Sequence, residues 1–142
     1  MIKGVDYIGV CIVYFCHDGK GRFVMAKRSV RARDEQGHWD IGGGALEFAD
    51  SVEDTLKKEI LEEYNARALA IEFLGFRDVH RKNQGKPYHW IALDFKVKID
   101  PEGVKINEPH KFDELSWFAL DKLPEPLHSQ LPVFFEKYKN HL

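Results

Sequence analysis

From residue 51 to residue 64 the chain places an apolar side chain at every fourth position: Val52, Leu56, Ile60 and Tyr64. That spacing is the signature of an α-helix with one buried stripe. Ser51 is a natural N-cap, and Glu53 and Asp54 suit the positive end of the helix. Asn65 can take the left-handed conformation that closes a helix. A single stripe of this kind must be covered by another layer, and strand-like segments lie on both sides of it.

Residues 7–16 form a continuous apolar run rich in β-branched and aromatic side chains, which predicts a buried strand. Residues 17–21 contain Asp18-Gly19 and Gly21 and predict a turn into a partner strand at 22–28. Residues 29–37 are polar and predict a surface loop, and 38–48 predict an extended stretch with three glycines. Beyond the helix, strands are expected at 69–79 and 89–99, joined by a turn at 82–87. Residues 100–110 carry Pro101, Gly103 and Pro109 as breakers. A short strand at 114–120 and a terminal helix at 128–139 complete the pattern. Strands around a central helix with a second helix at the end imply an α/β sandwich, and 142 residues without repeat or linker imply one domain, 1–142.

Charge and cysteine content exclude several functions. Lys plus Arg is 21, Asp plus Glu is 23, and the net charge is −2. A bulk nucleic-acid or anionic-membrane partner would require a basic excess. Cys11 and Cys16 are five residues apart, on opposite faces of one strand, so they cannot pair within it. Free thiols point to a reducing cytoplasm. The run at 7–16 has Asp6 before it and no small-residue cleavage site after it, unlike a signal peptide. No stretch reaches the roughly 20 apolar residues of a membrane helix.

The sharpest chemical feature is Glu59, Glu62 and Glu63. On a helical wheel the three fall within an arc of about 100°, with Glu63 at the edge of the stripe. They occupy the negative end of the helix, and Glu59 repels Glu63 one turn away. A solvated charged face is the plain alternative. A site for hard divalent cations explains more, because Mg²⁺ prefers carboxylate oxygens and would relieve both penalties. Gly42-Gly43-Gly44 lies just upstream, where missing side chains let a backbone approach a ligand. No Lys-Ser/Thr follows, so this is not a phosphate loop of that kind.

These residues resemble the Nudix hydrolases, the MutT-like family. Gly44, Asp50 and the run Lys58-Glu59-Ile60-Leu61-Glu62-Glu63-Tyr64-Asn65-Ala66 match the spacing of the Nudix box without a gap. That box reads Gly, five residues, Glu, seven residues, then Arg-Glu-apolar-any-Glu-Glu-any-Gly-apolar. The lead-in from Trp39 to Glu47 is similar to the family's Trp-x-x-Pro-Gly-Gly-x-x-Glu. Glu108-Pro109, Lys111, Trp117-Phe118 and Leu123-Pro124 resemble its later run. Three letters depart: Asp50 for Glu, Lys58 for Arg, and Asn65 for Gly. The first is one methylene shorter, and the second loses planar bidentate hydrogen bonding.

The resemblance implies a Nudix-type α/β/α sandwich with a mixed β-sheet, one catalytic helix and a C-terminal helix. It implies Mg²⁺- or Mn²⁺-dependent hydrolysis of a nucleoside diphosphate linked to another group. Glu59, Glu62, Glu63 and the Gly44 carbonyl would hold the metal, and Lys58 would orient Glu59. Glu62 or Glu63 ranks first as general base, with a later acid, Glu108, Asp113 or Glu114, second.

Arg28, Arg77 and Arg81, with Lys82, are candidate phosphate partners, and each also reads as plain surface charge. Trp39, Phe48, Tyr88 and Trp90 are candidates to stack on a base or to sit in the core. His80 and His89 are candidates for polar contacts, and seven histidines without paired short spacing give no zinc signal. The compact length favours a (d)NTP or modified-nucleotide pyrophosphohydrolase giving monophosphate and pyrophosphate. ADP-ribose or nucleoside-diphosphate-sugar hydrolysis is the second reading. A non-catalytic nucleotide-sensing module is the third, supported by Asp50 and Lys58 alone. A homodimer is plausible from the family.

Overall fold

The computed structural model describes residues 1–142. In chain order the elements are β1 (Gly9–His17), β2 (Phe23–Arg28), β3 (Trp39–Asp40), β4 (Gly42–Ala45), α1 (Val52–Tyr64), β5 (Ala68–Asn83), β6 (Lys86–Ile99), β7 (Phe112–Phe118) and α2 (Leu131–Tyr138). The strands form one seven-stranded sheet with the path β3-β2-β1-β6-β5; β4 also pairs with β1, and β7 with β2. β1 and β6 run parallel from Gly9 opposite Trp90 to His17 opposite Lys98. The other pairings are antiparallel, so the sheet is mixed.

β1 is apolar on both faces because both faces are covered. Ile12, Tyr14 and Cys16 join Val24, Ala26, Phe95, Val97 and Ile99 against the α1 stripe of Leu56, Ile60 and Tyr64. Phe15, with Phe23, Met25, Trp39 and Ile41, packs against Leu131, Phe134 and Tyr138 of α2. The molecule is therefore an α/β/α sandwich with a helix on each side. Both cysteines are free; Cys16 is buried and Cys11 half-buried.

The helix ends follow their local chemistry. The Ser51 hydroxyl accepts the Asp54 N–H at 3.0 Å. Asn65 stands at φ 53°, ψ 39°, left-handed, with its N–H on the Leu61 carbonyl. α2 is shorter than expected and begins at Leu131, because residues 128–130 form the turn that precedes it.

The larger difference is at the tip of β5 and β6. The expected turn at 82–87 narrows to Gln84-Gly85, and both strands extend to meet it, with Asn83 opposite Lys86. Gln84 and Gly85 have φ of 52° and 79°, the double positive φ of a two-residue type I′ hairpin. No helix is long and apolar enough to cross a membrane.

Candidate active site

β4 runs antiparallel beside β1, which sets Gly42 opposite Tyr14, Gly43 opposite Val13 and Gly44 opposite Ile12. Each glycine is a close approach. A Cβ on Gly42 would enter the Tyr14 ring, and one on Gly43 would come within 2.9 Å of the Ile12 carbonyl oxygen. A Cβ on Gly44 would lie 2.8 Å from Cδ and 2.9 Å from Oε2 of Glu59. The space a side chain would fill is taken by a carboxylate of α1. The glycine run is thus the floor on which the helix acids rest.

Glu63 is 4% exposed. Its Oε1 accepts from the Tyr14 hydroxyl and, at 3.4 Å, from the Gly43 N–H. Both contacts fall on one oxygen, and Oε2 takes no hydrogen bond from the protein. Burial pushes the Glu63 carboxyl up to about 8, with Lys111 opposing and Glu108 adding. Glu59 is half-buried and also raised, first by burial and then by the charges of Glu62 and Glu108. Glu62 faces solvent. Clustered carboxylates, two of them drawn from water and none bonded to a cation, are the donor set a hard cation would satisfy. The Gly44 backbone lies beside the Glu59 carboxylate.

The late acids divide. Glu108 belongs to the cluster: its charge acts on both Glu59 and Glu63, and its carboxylate accepts from Lys111 Nζ at 3.5 Å. Asp113 and Glu114 are exposed on β7, and Glu114 stands 4.0 Å from Lys27 Nζ. Lys58 is exposed and makes no hydrogen bond to Glu59; its charge only lowers the Glu59 carboxyl slightly against the larger rise. Asp50 is exposed in the loop before α1.

The substrate-side arginines pair with acids other than Glu59, Glu62 and Glu63. Arg77 is a correction to both readings offered for it, phosphate partner and surface charge. It lies on the α2 side of the sheet, 7% exposed, with Nε and Nη2 bound to the two oxygens of the fully buried Asp94 at 2.7 and 2.9 Å. The Tyr138 hydroxyl donates to the same carboxylate at 2.6 Å, and Phe134 lies under the guanidinium. Every charged donor there is committed to a buried pair. Trp39 is likewise core, edge-on to Phe118 at 5.1 Å. Trp90 covers Gly4 and Gly9, whereas Phe48 is 99% exposed.

Arg28 and Arg81 meet in a second polar group that sequence reading did not foresee. Arg28 donates to Asp34 at 2.8 Å, and Arg81 to Asp34 and Glu35 at 3.2 and 2.9 Å. Glu35 also takes the Ser129 N–H at 2.7 Å and lies 2.7 Å from His128 Nε2. Burial works to raise the Glu35 carboxyl, but these partners hold it below its usual value. Burial pushes Asp40 up to about 7 against the pull of Arg28, and lowers His128. Tyr14 was also missed. Its signal was available, since alternation from Ile12 places it on the helix side of β1.

A sandwich whose central helix lays acids across a glycine strand defines a class of hydrolase built around carboxylates. The chain belongs to the NUDIX domain family, whose model matches residues 7–138, and it is a hydrolase acting on phosphoanhydride bonds. It is 25% identical over 111 residues to a nucleoside triphosphatase NudI of Klebsiella pneumoniae, covering 73% of this chain and 77% of that one. It resembles a MutT NUDIX hydrolase structure from Burkholderia pseudomallei, with TM-score 0.79 and 26% identity over 93% of this chain and 98% of that one. The NUDIX domain of Shewanella oneidensis NrtR, solved with ADP ribose, shares the fold at TM-score 0.75 and 16% identity, over 95% and 88% of the two chains.

Proposed function

We propose that residues 1–142 act as one catalytic unit that hydrolyses a nucleoside triphosphate, normal or modified, to monophosphate and pyrophosphate. The observation that carries the site is Glu59 lying where Gly44 would have a Cβ, with Glu63 bonded by Tyr14 and Gly43 beside it. Glu59, Glu62, Glu63 and the Gly44 carbonyl are the residues that would hold Mg²⁺ or Mn²⁺. Such a cation would neutralise phosphate charge and lower the pKa of an attacking water. Glu62 takes the proton of that water, because it alone of the three faces solvent without a protein partner. Tyr14 and the Gly43 N–H fix the orientation of Glu63. Lys111, tied to Glu108 and close enough for its charge to act on Glu59 and Glu63, is the cation that would meet a phosphate oxygen. The similarity to a nucleoside triphosphatase supports the triphosphate over other leaving groups.

A product screen over dNTPs, oxidised purine nucleotides, dinucleotides and ADP-sugars, with and without Mg²⁺, tests this reading. Magnesium-dependent release of pyrophosphate from a triphosphate is expected, and Glu62→Gln should lower kcat by about 10²–10⁴-fold with little change in KM. Turnover confined to ADP-sugars would replace the substrate. No turnover of any compound, with wild type and Glu62→Gln alike, would favour a sensing module.

A further inference from the structure

We propose that Asp78, His80 and His89 form a second metal site, separate from the helix acids, that binds a divalent transition metal of the zinc type. The site is created by the long hairpin. β5 and β6 are paired so that His80 stands directly opposite His89 and Asp78 opposite Ile91. Residues two apart on a strand share a face, so Asp78 and His80 point the same way, and His89 reaches them across the ribbon. The side chains meet. His89 Nε2 lies 3.0 Å from Asp78 Oδ1, and the two imidazoles stack at 4.2 Å between ring centres. One donor atom from each of the three lies within 4.8 Å of the others.

Zinc bonds to nitrogen and oxygen near 2.1 Å place tetrahedral donors about 3.4 Å apart. The observed spread brackets that value, so small rotations of exposed side chains bring all three onto one ion. Two imidazoles and one carboxylate are a borderline-soft set, which suits zinc and its neighbours better than magnesium. All three residues are at least partly exposed, which leaves room for water at the remaining positions. Lys82, two residues further along the same face, is long and exposed and can turn away.

This group is distinct from the acids on α1. Both lie on the α1 side of the sheet, because Leu93 packs with the α1 layer and Phe76, opposite it, begins the run Phe76, Asp78, His80. The row Gly44–Ile12–Leu93–Phe76 crosses three inter-strand spacings, about 14 Å, and Asp78 and His80 lie further along β5. One ion cannot be shared. A metal here would brace the hairpin where the His89 N–H donates to the Gly4 carbonyl at 2.8 Å, tying the N-terminal turn to the sheet. Linear spacing concealed the set, since eight residues, the hairpin turn among them, separate the two histidines.

The test is titration of the full chain with Zn²⁺ or Co²⁺ in excess Mg²⁺, which occupies carboxylates in preference to imidazoles. One equivalent should bind, with His80 and His89 alone of the seven histidines shifting in the NMR spectrum. His80→Ala and His89→Ala should each weaken binding by about tenfold or more, and Asp78→Asn should weaken it less. These positions are on the surface, so the variants should melt with the wild type when no metal is present. Absence of uptake would reduce the cluster to a hydrogen bond and a ring stack. Uptake unchanged in both histidine variants would overturn the assignment equally.

Discussion

Asp94 and Glu63 are both buried acids, and they are satisfied in opposite ways. Asp94 has a bidentate arginine and a tyrosine hydroxyl, so its charge is fully met inside the protein. Glu63 has a hydroxyl, one long N–H contact and no cation bonded to it. The first is a structural pair, and the second has no cationic partner bonded to it within the protein. Arg77→Ala should therefore cost about 3–5 kcal/mol of unfolding free energy by stranding Asp94, measured by denaturant titration. Tyr138→Phe should cost about 1 kcal/mol by the same measurement. Thr55 offers the reverse case. Its hydroxyl is buried in α1 without a partner. Thr55→Val keeps the shape and removes the unpaired group, so it should stabilise by roughly 1 kcal/mol. An unchanged or lower Tm would show that this hydroxyl does find a partner in solution.

At the level of elements, the hairpin of β5 and β6 depends on two consecutive left-handed residues. Gly85→Ala keeps the turn only with a methyl in that region, and should lower stability by about 1–2 kcal/mol. Gln84→Asn should raise it slightly, since Asn accepts positive φ more readily. Amide exchange at residues 80–89 should respond to both variants before the rest of the sheet. This ribbon was also the element least legible in the sequence. Residues 80–89 are polar on both faces, so no apolar alternation extends the strands to Asn83 and Lys86, and Lys82, Asn83 and Pro87 read locally as a turn. α1 was legible to its caps because its stripe, Ser51 and Asn65 are signals within one turn of each other. The same division governs the site. Gly44, Glu59, Glu62 and Glu63 were readable because linear spacing sets their geometry along one helix and the strand before it. Asp94 beneath Arg77 and His80 beside His89 depend on which strands pair, which sequence separation does not carry; alternation gives Tyr14 its face, but its contact with Glu63 depends on where α1 crosses β1.

Across the whole molecule, a net charge of −2 hides an uneven distribution. Glu59, Glu63 and Asp40 all hold protons more tightly than free carboxyls do, and burial is the leading cause at each. At these three carboxyls the native state binds more protons than the unfolded chain, so their contribution to stability falls as pH rises. His17 and His128, which burial lowers, act in the opposite sense, and their contribution rises with pH up to the ordinary value of 6.5. For Glu63 the loss begins near its ordinary value of 4.5 and is complete near 8, beyond which it is constant. On the proposed metal set, magnesium would reverse the balance at Glu59 and Glu63, because a bound cation favours the ionised forms that burial opposes. Two melting series test the argument. In chelator, Tm should decline between pH 5 and pH 8. In millimolar Mg²⁺ the decline should flatten, so that stabilisation by the metal is small at pH 5 and largest at pH 8. Glu63→Gln should flatten the chelator series and remove most of the magnesium effect, since its amide neither titrates nor attracts a cation. Asp40→Asn should flatten the chelator series in part and leave the magnesium effect intact, because Asp40 belongs to the Arg28 and Glu35 group. If magnesium stabilises Glu63→Gln as strongly as wild type at pH 8, the raised carboxyl and the cation site are unconnected.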